Sequence, residues 1–252
     1  MDQQLFDIVT PCGPNDLEVV QQQVMYTKKN VIGYRNIYII TNLVAEISGC
    51  IIVPESVFPF GIKDVAEAHG ENTRNGWYLQ QMLKMYAGEY IPGILDKWLV
   101  IDSDTFFLKP TTFFKNGRPC YAVGREYWLP YFNHMARLHP GLKRFNESIS
   151  GICHHMMFEK QIVEQLFKMV EEVHEGVPFW KLFFGKVEEK DKKGSGGSEY
   201  EIYFNYLLNY HQDRIQIRIL RWANVRTFMP DCGLDYISYH WHMREGSKQK
   251  SA

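Results

Sequence analysis

Residues 98–110 read WLVIDSDTFFLKP, and the organisation of the chain can be worked outward from them. Trp98–Ile101 is too apolar to face water, which predicts a central β-strand. The strand ends at Asp102-Ser103-Asp104. In open α/β sheets, ligands gather outside the carboxyl ends of the strands. Carboxylates at i and i+2 project to the same side of an extended segment. Two hard oxygen ligands so placed suit Mn²⁺ or Mg²⁺ and leave coordination positions for a diphosphate. Asp and Ser are also ordinary turn residues, but the buried strand in front of them favours a site.

Upstream, Leu5–Val9 is an apolar run halted by Thr10-Pro11-Cys12-Gly13-Pro14, as for a buried strand entering a loop. Asn15 or Asp16 caps the helix that follows, with Leu17, Val20 and Val24 on one face. Asn36–Thr41 and Cys50–Val53 are further strands, and this β-α-β-β start predicts an α/β fold. Residues 75–88 form a helix with Asn75 as cap and Gly88 as stop; Leu79, Met82, Leu83 and Tyr86 face the core. Trp77, Gln81 and Lys84 share a different face.

Downstream, Phe106–Leu108 is a brief strand, and 125–150 is helix and loop over one side of a cleft. Glu159–Glu175 is an amphipathic helix ended by Gly176. KVEEKDKKGSGGS (186–198) predicts a mobile loop from its charge and Gly/Ser content. A helix over 199–210 follows, then the alternating strand Ile215, Ile217, Ile219, and finally Tyr236–His242 (YISYHWH). There is no internal repeat and no strong boundary, so a single domain is expected.

The chain has 252 residues with 28 Lys+Arg against 29 Asp+Glu, a formal charge of -1. That removes any global basic field for nucleic acid or anionic lipid. An aromatic content of 15% fits a cleft with stacking platforms. Cysteines 12, 50, 120, 153 and 232 are odd in number and form no CxxC pair, which argues for reduced thiols rather than a disulfide framework or zinc site. MDQQLFDIVTPCG lacks the features of a signal peptide, and no run approaches the roughly 18 apolar residues of a membrane span. A soluble, cytoplasmic protein without a transmembrane segment is expected.

The segment LVIDSDTFFLKP is similar to the form found in glycogenin-like and related viral and bacterial transferases. Its setting resembles the GT-A glycosyltransferases, and the likeness extends from the first strand to residue 248. The resemblance implies one GT-A-like domain with a Rossmann-like mixed central sheet flanked by helices. A nucleotide-binding half would cover about 1–110 and an acceptor half about 111–252. It implies a metal-dependent transferase that moves a sugar from a nucleotide-diphosphate-sugar donor to a hydroxyl acceptor, whether glycan, protein or small molecule. Asp102 and Asp104, flanking Ser103, would hold the Mn²⁺ or Mg²⁺ that bridges the donor's diphosphate.

The same family places a histidine near the C-terminus, followed by a glycine and a lysine that touches the diphosphate. Here His240 or His242 answers to the metal-binding histidine, with Gly246 and Lys248 beyond, although the spacing departs from the family's. Tyr239-His240-Trp241 resembles the local form and favours His240. Of His154 and His155, adjacent in a predicted strand, at most one lines a cleft, where it would touch the acceptor rather than a metal.

The Thr10–Asp16 loop (Thr10, Pro11 and Asp16) lies where GT-A proteins hold the nucleoside. Arg74 and Lys84 flank the helix before the DxD strand and are candidates to neutralise diphosphate charge. In inverting members a carboxylate near the start of the 199–210 helix deprotonates the acceptor. Glu199 is that candidate, because a capping box with Ser198 already accounts for Glu201. A retaining mechanism needs no such base. Trp128, Tyr131 and Trp180 are candidate sugar-stacking surfaces.

Three other readings fit parts of the sequence. VIDSDT matches the nucleophile motif of haloacid-dehalogenase-type phosphatases, with Asp102 as nucleophile and Asp231 and Asp235 as later acids. That motif normally opens its domain, whereas about 100 residues precede it here. A nucleotidyltransferase and a catalytically inactive sugar-binding domain are the others.

Overall fold

The computed structural model describes residues 5–43 and 46–244. Strand β1 (Phe6–Pro11) is buried throughout, as its apolar run predicts. Helix α1 (Leu17–Asn30) buries Val20 and Val24. Next come β2 (Val31–Ile32), β3 (Tyr34–Ile40) and β4 (Ile51–Val53). Helices α2 (Ile62–His69) and α3 (Asn75–Tyr90) lead to β5 (Lys97–Ile101), the strand that carries the aspartates.

Helix α3 runs past Gly88, which does not end it. A Cβ at Gly88 would lie 2.3 Å from the Trp98 ring, so the missing side chain lets α3 lie directly on β5. Asn75 is the helix's first residue, with Arg74 at the cap position. Leu79, Met82, Leu83 and Tyr86 are buried as expected, but so are Gln81 and Lys84 on the other face.

Beyond the aspartates are β6 (Thr105–Phe107), β7 (Thr111–Thr112), β8 (Phe114–Lys115), β9 (Arg118–Ala122) and α4 (Leu129–Leu138). The chain continues through β10 (His155–Glu159), α5 (Lys160–Glu172), α6 (Phe179–Gly185) and α7 (Glu199–Tyr210). It closes with β11 (Gln216–Arg218), β12 (Trp222–Asn224) and β13 (Tyr236–Ser238).

The central sheet has five strands in the order β10-β5-β1-β3-β4. β1 pairs parallel with both β3 and β5, β3 with β4, and β10 runs antiparallel to β5. From β1 the chain crosses to β3 on one side, while β5 lies on the other. The order therefore reverses between β1 and β5, and a crevice opens outside their carboxyl ends. Both Asp102–Asp104 and the loop after Pro11 emerge there. The small sheet β12-β13-β6 stands beside it, with Ser238 opposite Thr105.

One apolar cluster runs from Phe6 on β1 to Tyr236 on β13, and the fold is a single compact α/β domain. All five cysteines are free. Among the described residues no helix is long and apolar enough to cross a membrane.

Three local expectations are corrected. Residues 186–198, read as mobile, are packed: Arg74 donates to Gly194 O (3.2 Å) and Ser195 Oγ (2.8 Å), and Gly196 N donates to the Tyr78 hydroxyl (2.9 Å). The glycines serve close approach, since a Cβ at Gly196 or Gly197 would meet Val187 at 2.5 Å or His134 at 2.7 Å. The capping box is only half made. Ser198 Oγ accepts from Glu201 N (3.3 Å), but the Glu201 carboxylate accepts from Ser150 and Asn205 instead. Finally, Ile217 and Ile219 are exposed, so their alternation with Ile215 marks no buried face.

Candidate functional site

The first wall of the crevice comes from the loop after β1. Asp16 sits at the cap position of α1, yet its carboxylate makes no capping bond. It turns into the crevice, where Oδ2 accepts from Ser103 Oγ at 2.9 Å and Oδ1 from Arg244 at 2.6 Å. Burial and the neighbouring Asp104 carboxylate raise its pKa, against the opposing pull of Arg244 and Ser103. Thr10 is fully buried at the end of β1, and its hydroxyl has no hydrogen-bond partner. Pro11 is buried as the last residue of that strand.

Antiparallel pairing of β13 with β6 brings in the late histidine. Tyr239 N donates to Asp104 O at 2.8 Å, which sets the next side chain beside the Asp104 carboxylate. His240 Nδ1 lies 2.9 Å from Asp104 Oδ2, across 136 residues of sequence. Burial disfavours a charged His240, but Asp104 outweighs it and the pKa is raised. His242 stacks on the outer side of the His240 ring at 5.5 Å and makes no printed bond to Asp104. Burial and the charge of His240 lower its pKa. Asp104 Oδ1 is buried without a hydrogen-bond partner. Among the described residues no group of three or more His, Cys, Asp or Glu is arranged for a metal ion.

Asp102 has a different company from the one its motif suggests. The Lys84 ammonium lies 2.7 Å from Asp102 Oδ1 and 2.7 Å from Glu199 Oε1, tying α3, β5 and α7 together. Tyr200 donates its hydroxyl to the same Asp102 oxygen at 2.8 Å, and Glu199 N donates to Gln81 Oε1 at 3.0 Å. Burial pushes the Asp102 carboxyl up, but Lys84 and His154 override it and hold it below the usual carboxylate range. For Glu199 burial prevails over Lys84, and its pKa is raised. Burial opposes the Lys84 charge, yet its two carboxylates raise its pKa above the ordinary lysine value.

His154 is the member that sequence reasoning placed only loosely. Its Nδ1 lies 3.5 Å from Asp102 Oδ2, and its ring contacts that of His240 at 4.7 Å. Carboxylate, imidazole, imidazole and carboxylate thus form one row from Asp104 to Asp102, which Lys84 continues to Glu199. His155 points away, into a cluster with Phe107 and Tyr236.

Arg74, expected on the donor side, is occupied by Gly194 and Ser195 and packs over Trp77 at 4.2 Å. The half-exposed Trp128 fixes its indole to Ser195 O at 2.7 Å, and Tyr131 is buried. Trp180 lines a separate cavity with Asp64, Glu67 and Phe184. Asp235 pairs with Lys109 and Arg221 rather than approaching Asp102, and Asp231 is exposed. Gly246 and Lys248 lie outside the described residues.

Fold and crevice together define an α/β protein with a carboxylate- and imidazole-lined site at the reversal point of its parallel strands. The chain belongs to DUF6492, a family of unknown function, whose match covers residues 18–221. That span contains Lys84, Asp102, Asp104, His154 and Glu199, whereas Asp16 and His240 flank it. No curated protein matches the chain.

Proposed function

We propose that this protein is a metal-dependent glycosyltransferase of the GT-A type, transferring a sugar from a nucleotide-diphosphate donor to a hydroxyl acceptor. The observation that carries the reading is the contact between Asp104 and His240 at the reversal point of the sheet. A distant strand brings an imidazole onto one of two aspartates at the place where α/β sheets bind nucleotides.

The donor set fits a divalent cation. Asp104 keeps one buried oxygen without a partner, and its other oxygen already meets His240 at 2.9 Å. Carboxylate oxygen with imidazole nitrogen suits Mn²⁺, and Mg²⁺ through the carboxylate. Asp104 and His240 are therefore the proposed ligands. Asp102, engaged by Lys84 and Tyr200, is assigned to holding the site together. A cation there supplies charge neutralisation to the departing diphosphate.

The other residues have separable tasks. Thr10 and Asp16 are placed to meet the nucleoside, with Ser103 holding Asp16. Glu199 is the proposed base, its raised pKa suiting proton uptake near neutrality. The acceptor oxygen bonds to the anomeric carbon. The bond from that carbon to the diphosphate breaks with its electron pair on the diphosphate, and the hydroxyl proton passes to Glu199. Lys84 keeps Glu199 oriented before the transfer.

Calorimetric titration of UDP and GDP with and without Mn²⁺ tests the reading, followed by a donor-hydrolysis assay. The expected result is binding of a nucleoside diphosphate that requires Mn²⁺. Asp104→Asn should lose that binding while its metal-free thermal midpoint stays unchanged. Nucleotide binding indifferent to Mn²⁺, or an acyl-phosphate analogue trapped at Asp102 by BeF₃⁻, would overturn it.

A further inference from the structure

We infer that His154 reads the donor's sugar, its Nε2 accepting a hydrogen bond from a hydroxyl of the transferred residue. The inference rests on the transferase reading above. His154 immediately precedes β10, and its carbonyl accepts from Asp102 N at 3.0 Å, extending the ladder with β5. Its φ of 62° lies in the left-handed region, which non-glycine residues seldom occupy and which concentrates at functional positions. The turn sends the His154 ring into the crevice, while the next residue, His155, enters the core.

The His154 side chain is nine-tenths buried, and its Nε2 has no hydrogen-bond partner. Other histidine nitrogens in the protein are also unpartnered. That of His155 is explained by its aromatic surroundings, with Phe107, Phe113 and Tyr236 rings between 5.0 and 5.7 Å away. His154 instead stands among Asp102, His240 and the edge of Trp222, where an unmet lone pair calls for a ligand.

The chemistry of that lone pair selects the ligand group. Asp102 faces Nδ1 at 3.5 Å, so the ring hydrogen belongs on Nδ1. A second positive charge would meet the contacting His240 ring, so Nε2 is left as an acceptor only. An ionised phosphate has no hydrogen to offer it, whereas a sugar hydroxyl does. Trp222, edge-on at 5.2 Å and partly buried, adds the aromatic wall that accompanies a few polar groups in small-molecule sites.

The test is calorimetry in Mn²⁺ with wild type, His154→Asn and His154→Gln. Asn tolerates the left-handed backbone but its amide ends near the Nδ1 position, and Gln restores an acceptor near Nε2. The probes are UDP, GDP, UDP-glucose, UDP-galactose, GDP-mannose and Mn²⁺ alone. His154→Asn should bind the nucleoside diphosphate as wild type does. It should lose about tenfold in affinity for the preferred nucleotide sugar, the scale of one hydrogen bond, and His154→Gln should recover part of the loss.

Equal losses on diphosphate and nucleotide sugar, or no loss on either, overturn the inference alone. So does a comparable loss on Mn²⁺ alone, which would make His154 a cation ligand. A wild type that binds no nucleoside diphosphate overturns the transferase reading, and this inference with it.

Discussion

Lys84→Met leaves Asp102 and Glu199 facing each other without the ammonium that stands 2.7 Å from an oxygen of each. Methionine replaces most of the lysine stem, so the effect is chiefly electrostatic. The Lys84 and Glu199 side chains are 3% and 4% exposed, against 19% for Asp102. Water can rescue Asp102 in part but hardly reaches Glu199. Removing one partner of a buried pair costs about 3–5 kcal/mol, and that is the loss expected at about pH 8, where both carboxylates are ionised. In a chain of this size each kilocalorie moves the thermal midpoint by roughly 2–4 °C.

Acid should shrink the loss. Burial already raises the Glu199 pKa, and without Lys84 nothing there opposes protonation, so near pH ~5 the variant's Glu199 is neutral and needs no counter-ion. Urea denaturation of wild type, Lys84→Met, Glu199→Gln and the double variant at about pH 8 and about pH 5 measures this. The lysine's removal should cost much less in the Glu199→Gln background. A loss below about 1 kcal/mol at the higher pH, or one equal at both, refutes the assignment of Lys84 as an indispensable buried counter-ion.

Two further outcomes follow from the same structure. Gly88→Ala should destabilise by about 1–3 kcal/mol, because the added methyl would press on the Trp98 ring; an unchanged urea midpoint would mean that α3 can lift off β5. Asp102, its pKa held below the ordinary value by Lys84 and His154, contributes stability that is present above the unfolded-state pKa of about 3.9 and is lost as pH falls below it. The stability difference between wild type and Asp102→Asn should therefore narrow on acidification below about pH 4, and a difference flat across that range contradicts the ion pair.

The features that were legible are those that local chemistry determines. An interior strand must be apolar on both faces, so Trp98–Ile101 announced itself and located the two aspartates at its end. Helix α7 begins where Ser198 can cap it. What stayed hidden depends on distant partners. A lysine within a helix reads as solvated, and nothing near Lys84 in sequence reveals Glu199, 115 residues on. Asp16 is a plausible cap until Arg244 and Ser103 draw its carboxylate away. The charged, glycine-rich 186–198 stretch looks mobile because composition does not record that Gly196 and Gly197 are small enough to pack closely. The left-handed turn at His154 has no glycine to signal it.

The pairing of β13 with β6 also dictates an order of assembly. Every strand of the central sheet precedes β13 in the chain, and domains tend to organise from the N-terminal side as the ribosome delivers them. A nascent polypeptide can thus build the sheet and expose Asp104 well before Tyr236–Ser238 arrives to seat His240. Proteolytic nicking ahead of β13 would return the molecule to that half-finished condition, folded yet lacking the imidazole. The last-arriving strand makes competence contingent on integrity of the chain between Thr105 and His240.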